Sequence, residues 1–132
     1  MDIRRMIGTL LFVGGAQLLV LLIVAETQYP GYNVAVNYIS DLGDWSYSSA
    51  CIFNPSVALN GVFILTAAYL IMTRLGWRRQ GALLFISGMG AVGVGLFNEF
   101  TGAPHVIFAL MAFFGGSFTG IIFKTRIKGF MG

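Results

Sequence analysis

Four long apolar runs separated by polar stretches give the chain its outline. Met6 to Ala25 is an apolar run of about 20 residues, enough for a helix to cross a hydrocarbon core of roughly 30 Å, and a short charged start, Asp2 to Arg5, precedes it. The second run begins at Ala50, but Asn54-Pro55 interrupts it. An N-cap residue followed by proline suits the first helical position, so the regular helix is expected over 55–73. The third and fourth runs cover 81–97 and 104–123. The pattern predicts an all-α integral membrane protein, a four-transmembrane-helix bundle forming a single domain over 1–132. The first run lacks a small-x-small cleavage pattern before Glu26 and is read as a retained span, not a signal peptide.

Between the first two spans, residues 26–49 are too polar to cross a bilayer. Tyr29, Tyr32, Tyr38, Trp45 and Tyr47 fit an aromatic belt at headgroup level. Asn33, Asn37, Ser40, Asp41 and Asp44 recur at helical spacing, which predicts a short interfacial helix with these groups on one face. So long a loop is expected to be ordered, docked over the turn that joins spans three and four. There its Asn and Ser side chains would meet the open carbonyls at the end of the third span, and Asp41 would accept a hydrogen bond from His105 or from amides after Pro104.

Within the spans, small residues mark packing. Gly88, Ala91 and Gly95 on the third span, and Ala112, Gly116 and Gly120 on the fourth, form stripes that let helix backbones approach in lipid. Gln17, near the middle of the first span, is expected to make an interhelical hydrogen bond. It is read as the only strongly polar residue deep in a span. A shift of 73 positions aligns Arg5 with Arg78, Gly8 with Gly81, Leu10-Leu11-Phe12 with Leu83-Leu84-Phe85, Gly15 with Gly88, and Glu26 with Glu99. On that alignment the chain is two parallel-repeat helical hairpins with Glu26 and Glu99 as symmetry mates.

Composition agrees with the pattern: 57% of residues are apolar and only 10% are charged, far from the balance of a soluble domain. The net charge of +3 therefore speaks to topology and not to nucleic acid. Arg4, Arg5, Arg74, Arg78, Arg79, Lys124, Arg126 and Lys128 all fall on one side of the predicted spans. The positive-inside rule makes that side cytoplasmic, with both termini inside and the 26–49 loop outside. The single Cys51 offers neither an internal disulfide nor a cysteine metal site.

The candidate chemistry gathers at the other side. Glu26, Asn33, Asn37, Ser40, Asp41, Asn54, Asn98, Glu99 and His105 are expected to form one polar outer cluster. Glu99 stands at the C-terminal, negative end of an apolar helix, where a carboxylate is disfavoured and its pKa is expected to rise. Glu26, Asp41, Glu99 and His105 are the residues that would bind a divalent metal or serve as acid and base if the cluster were catalytic. One histidine and no cysteine is a poor set for zinc, and no metal, cofactor or catalytic residue is assigned.

Residues 26 to 43 (ETQYPGYNVAVNYISDLG), then Ile52-Phe53-Asn54, and 93 to 116 (GVGLFNEFTGAPHVIFALMAFFGG) resemble the archaeal multi-spanning membrane family known as domain of unknown function 998. The resemblance implies an archaeal polytopic membrane protein and no particular activity. Typical members run longer, by about two spans of roughly 20 residues each. From the residues themselves, three function classes stand. The first is an accessory or scaffolding subunit that contacts membrane lipids and other integral membrane proteins or copies of itself. The second is a membrane-embedded hydrolase or transferase acting on lipid headgroups at the outer leaflet. The third is a small transporter or channel working as an oligomer.

Overall fold

A computed structural model describes the backbone of residues 2–130 and the side chains of residues 2–123. The Lys124, Arg126 and Lys128 side chains lie outside the described residues. The chain is all-helical over the described residues: α1 (Ile3–Thr27), α2 (Ala50–Arg74), α3 (Arg78–Leu96) and α4 (Ala103–Phe130), with two short 3-10 helices, η1 (Ile39–Gly43) and η2 (Glu99–Thr101). All four α-helices are long and apolar enough to cross a membrane. The end carrying residues 28–49 and the α3–α4 turn is called the loop end here. The opposite one, with the α2–α3 turn and its arginines, is the basic end.

α2 starts at Ala50, not at Pro55. The loop feeds into it through consecutive turn hydrogen bonds: Ala50 N–H to Tyr47, Cys51 to Ser48, and Ile52 and Phe53 to Ser49. Only one helical bond is lost where Pro55 lacks its N–H, a cost the first turns absorb. Asn54 is consequently not an N-cap. Its amide donates to the Gly43 carbonyl at 3.1 Å, tying the helix to η1. At the basic end Gly76, with φ 68, reverses the chain in a left-handed conformation that glycine adopts without a Cβ clash.

The helices pack in sequence, α1 on α2, α2 on α3 and α3 on α4. α3 is the middle piece because its glycines serve two neighbours. Toward α2, Gly81 meets Ala68 and Met72, Gly88 meets Leu65, and Gly95 meets the Asn54 carbonyl and Ala58, a seven-residue repeat on one face. Toward α4, Gly90 lies against the Ala112 backbone and Gly93 against the Phe108 ring, while Ser87 donates to the Ala112 carbonyl at 2.7 Å. A Cβ added at Gly95 would stand 2.6 Å from the Asn54 carbonyl oxygen, so the approach is of backbone on backbone.

The α4 seam differs from the expected stripe. It runs through Phe108, Ala112, Gly115 and Thr119: a Cβ at Gly115 would lie 2.8 Å from the Leu83 carbonyl oxygen, and Thr119 is buried. Gly116 makes a looser approach to Ser87, and Gly120 meets nothing within 4 Å. Each four-residue step advances about 40° around a helix of 3.6 residues per turn, so a strict four-residue stripe rotates off the interface, whereas steps of four and three stay on it. Ala91 is buried but lines a cleft described below.

Gln17 does bridge α1 and α2, donating to the Ser56 carbonyl and to Gly14 of its own helix, each at 3.0 Å. Asn60 is a second strongly polar residue in mid-span, overlooked in the sequence; its side-chain oxygen lies 2.9 Å from where a Cβ on Gly14 would stand. The equivalence of Glu26 with Glu99 does not hold locally. Glu26 sits in the last turn of α1, while α3 ends at Leu96 and Glu99 opens η2, because Phe97 and Asn98 are extended.

Candidate functional site

The loop end is built on one aliphatic side chain. Leu42, inside η1, is fully buried and joins Ala25 of α1 with Phe53 and Val57 of α2. A lone leucine in the run Ser40-Asp41-Leu42-Gly43-Asp44 was the signal for this plug. Its burial sets η1 beside η2, which is why the polar groups on either side of it meet the α3–α4 turn.

Ser40 Oγ donates to Glu99 Oε2 at 2.6 Å. Asp41 Oδ2 accepts from the Asn37 side-chain amide at 3.0 Å and from the Tyr38 N–H at 2.9 Å. The Asp41 and Glu99 carboxyls are close enough to share a hydrogen bond. Burial raises the Glu99 pKa, and the neighbouring Asp41 raises it further against the opposing Ser40 hydrogen bond. Partial burial acts the same way on Asp41, but hydrogen bonds from Asn37, Glu99 and the Tyr38 amide outweigh it and hold that carboxyl below its usual value. Of the two carboxyls, Glu99 therefore keeps its proton to the higher pH and Asp41 ionises first.

Residues 33–38 form turns in place of the expected interfacial helix. Asn33 Oδ1 accepts from the Ala35 N–H at 2.9 Å and Asn37 Oδ1 from the Asn33 N–H at 3.1 Å, local bonds that compete with a helical ladder. Neither Asn33 nor Ser40 reaches the carbonyls at the end of α3. His105 takes that role from the other side, its Nδ1 donating to the Phe97 carbonyl at 2.8 Å, and so does not donate through Nδ1 to Asp41. Tyr29 packs against Tyr47 at 4.2 Å and edge-on to Tyr32 at 5.7 Å.

Of the nine residues expected in one cluster, Asn37, Ser40, Asp41 and Glu99 form a connected network, with His105 close enough to act on the Glu99 charge. Asn54 is buried behind Gly43. Glu26 lines a separate shallow hollow with Tyr32 and Asn33, and the Asn98 side chain makes no hydrogen bond among the described residues. Among the described residues, no three His, Cys, Asp or Glu side chains converge in a way that would hold a metal ion.

Beside this network opens a cleft of about 1050 Å³. Its walls are α1 and α4, its floor is α2 and α3, and Asn37 to Ser40 with His105 form its mouth. Asn60 and Ser87 line it at depth among leucine, valine, isoleucine and phenylalanine side chains. Toward the basic end the bundle closes, where Ile7, Ala67, Ala68, Ile71 and Leu84 form a buried cluster backed by Trp77 and Phe123.

Comparison with curated proteins and with solved structures gives no significant match. A family model described as Protein of unknown function (DUF998) matches residues 12–132, which takes in α1 from Phe12 onward, the other three α-helices, the loop-end network and the cleft, and the chain belongs to that family.

Proposed function

We propose that this chain is an accessory subunit of a larger membrane assembly, held in the cell membrane with both termini in the cytoplasm and residues 26–49 outside. The observation that carries the reading is how the loop-end polar groups are used. Ser40, Asn37, Asp41, Glu99 and His105 are engaged with one another and with the end of α3, so the cap works as a clamp on the loop. Meanwhile α1 and α4 present broad apolar faces, with Phe12, Val20, Phe114 and Phe118 all exposed, the surface a helix offers to lipid or to another membrane protein. The one-sided distribution of arginine and lysine supports the orientation.

Purification in mild detergent, with crosslinking and mass spectrometry, is the test. The reading expects membrane proteins recovered in fixed stoichiometry with the chain; recovery of the chain alone from its native membrane under gentle conditions would count against it. For orientation, Ser48→Cys and Arg79→Cys in a Cys51→Ser background should label from opposite sides.

A second reading, a hydrolase or transferase acting on lipid headgroups, has one observation in its favour. The Asp41–Glu99 pair, in which burial and the neighbouring Asp41 raise the Glu99 pKa, stands beside the mouth of the cleft, where a general acid would be useful. Glu99→Gln would abolish such an activity. Transport has less support, since the packed cluster at the basic end occupies the half of the bundle that a conduit would have to cross.

A further inference from the structure

We infer that the cleft between α1 and α4 is a binding site for one lipid of the loop-end leaflet, its chains in the apolar groove and a non-anionic, hydrogen-bond-donating headgroup at the mouth. This goes beyond the accessory role and does not depend on it.

Depth decides the kind of occupant. On α4 the lining runs from His105 to Phe113 and on α2 from Phe53 to Ile64. At about 1.5 Å per residue these spans are roughly 12 Å and 16 Å, about half of a hydrocarbon core of roughly 30 Å. On α1 and α3 the lining likewise stays within the loop-end half, from Gly15 to Leu22 and from Ser87 to Val94. Beyond it the helices close on the Ile7, Ala68 and Leu84 cluster. A transmembrane helix would need a groove of full membrane depth, whereas lipid chains of one leaflet need half.

Charge and hydrogen-bonding capacity decide the headgroup. No lysine or arginine occurs in residues 26–54 or 97–106, while Glu26, Asp41, Asp44 and Glu99 all belong to this end. A phosphate-only anion would find repulsion and no cationic clamp. The mouth offers acceptors instead. A carbonyl can only accept, so His105 Nδ1 is the protonated nitrogen toward Phe97, and in the neutral ring Nε2 is left as an acceptor. Ser40 uses its O–H to donate to Glu99 and keeps its lone pairs as acceptors. Hydroxyl or ammonium donors fit these atoms. Deeper, the Asn60 carboxamide has no hydrogen-bond partner among the described residues, a polar point at which an ester group of the chain region could be held.

The test uses the whole chain in detergent, stripped of lipid and offered three lipids with identical acyl chains: a glucosyl diacylglycerol, phosphatidylethanolamine and phosphatidylglycerol. Bound lipid is counted by native mass spectrometry. The glucosyl lipid, the ethanolamine lipid or both should be retained about tenfold above phosphatidylglycerol, and which of them is retained separates hydroxyl from ammonium donors. Ala109→Trp, which fills the groove, should lose that retention, and Phe114→Trp, outside the cleft lining, should keep it. Leu19→Trp, at an exposed position on the α1 wall, serves as the second blocking variant should Ala109→Trp fail to fold. Equal or stronger retention of phosphatidylglycerol, or unchanged retention in the blocking variants, would overturn the proposal. So would a photocrosslinker at Leu19 that captures a second copy of the chain in place of lipid.

Discussion

The two halves of this bundle are made of the same four helices and differ in what lies between α1 and α4. Near the basic end the helices close on alanine, isoleucine and leucine; glycines bring α3 against its neighbours along its whole length, from Gly81 at the basic end to Gly90, Gly93 and Gly95 in the loop-end half. Near the loop end, η1 enters the bundle through Leu42 and the α1 and α4 walls stand apart around a cleft. The difference teaches that helix contact in lipid follows the size of facing residues and the bonds between helices, since lipid gives apolar surfaces no reason to hide from it. α1 is fastened to α2 by Gly14 and Gln17 and has no comparable seam with α4 among the described residues.

The comparison breaks most completely at the glycine seam. Gly90→Leu places a side chain against the Ala112 backbone and is expected to prevent folding or to cost at least the ~1–3 kcal/mol of an overpacked core. Gly120→Leu, with open space around it, should be silent in the same thermal-unfolding assay in detergent. Next comes Leu42→Ala. Removing the fully buried plug should cost about 2–4 kcal/mol and release residues 37–43 to rapid hydrogen exchange while leaving the basic-end amides protected.

The fold was legible in the sequence where physics acts on long windows. Apolar length placed the four spans, and Gln17 was read correctly as a bridge. What escaped was local. The loop's helical spacing lost to Asn side chains that bond nearby backbone, and Pro55 proved compatible with a helix already begun at Ala50. The α4 stripe was drawn on a period of four when the seam alternates four and three. The docking of Ser40 and Asp41 beside Glu99 was foreseen from polar composition, but the part of His105 was not: a single ring nitrogen cannot serve both the Phe97 carbonyl and Asp41, and the end of α3 claimed it.

A smaller effect separates Glu99 from Glu26, which the repeat would make equal. Glu99, with its raised pKa, favours the docked loop at pH below its undocked value, and that contribution is lost as pH rises through the docked pKa. Asp41, with its lowered pKa, contributes above its undocked value, and that is lost as pH falls through the docked one. Hydrogen-exchange protection of residues 38–43 should therefore peak on the mildly acidic side, where Glu99 is protonated and Asp41 ionised. Glu99→Gln should remove the high-pH loss, at a cost of at most about 1 kcal/mol after solvent screening, and Glu26→Gln should leave the profile unchanged. Smallest of all, Gln17→Leu should shift stability by roughly 0.6 kcal/mol, the average for such bonds in membranes.

The difference between the halves is tested most directly by one matched pair of alanine-to-tryptophan changes, read as unfolding stability in the same detergent. Ala68 lies in the closed half with no exposed surface, and Ala109 faces the cleft. The account predicts that Ala68→Trp loses more than about 3 kcal/mol or does not fold, while Ala109→Trp stays within about 1 kcal/mol of the parent. Equal losses at the two positions would mean that the loop-end half is as closed as the other, and would contradict the account.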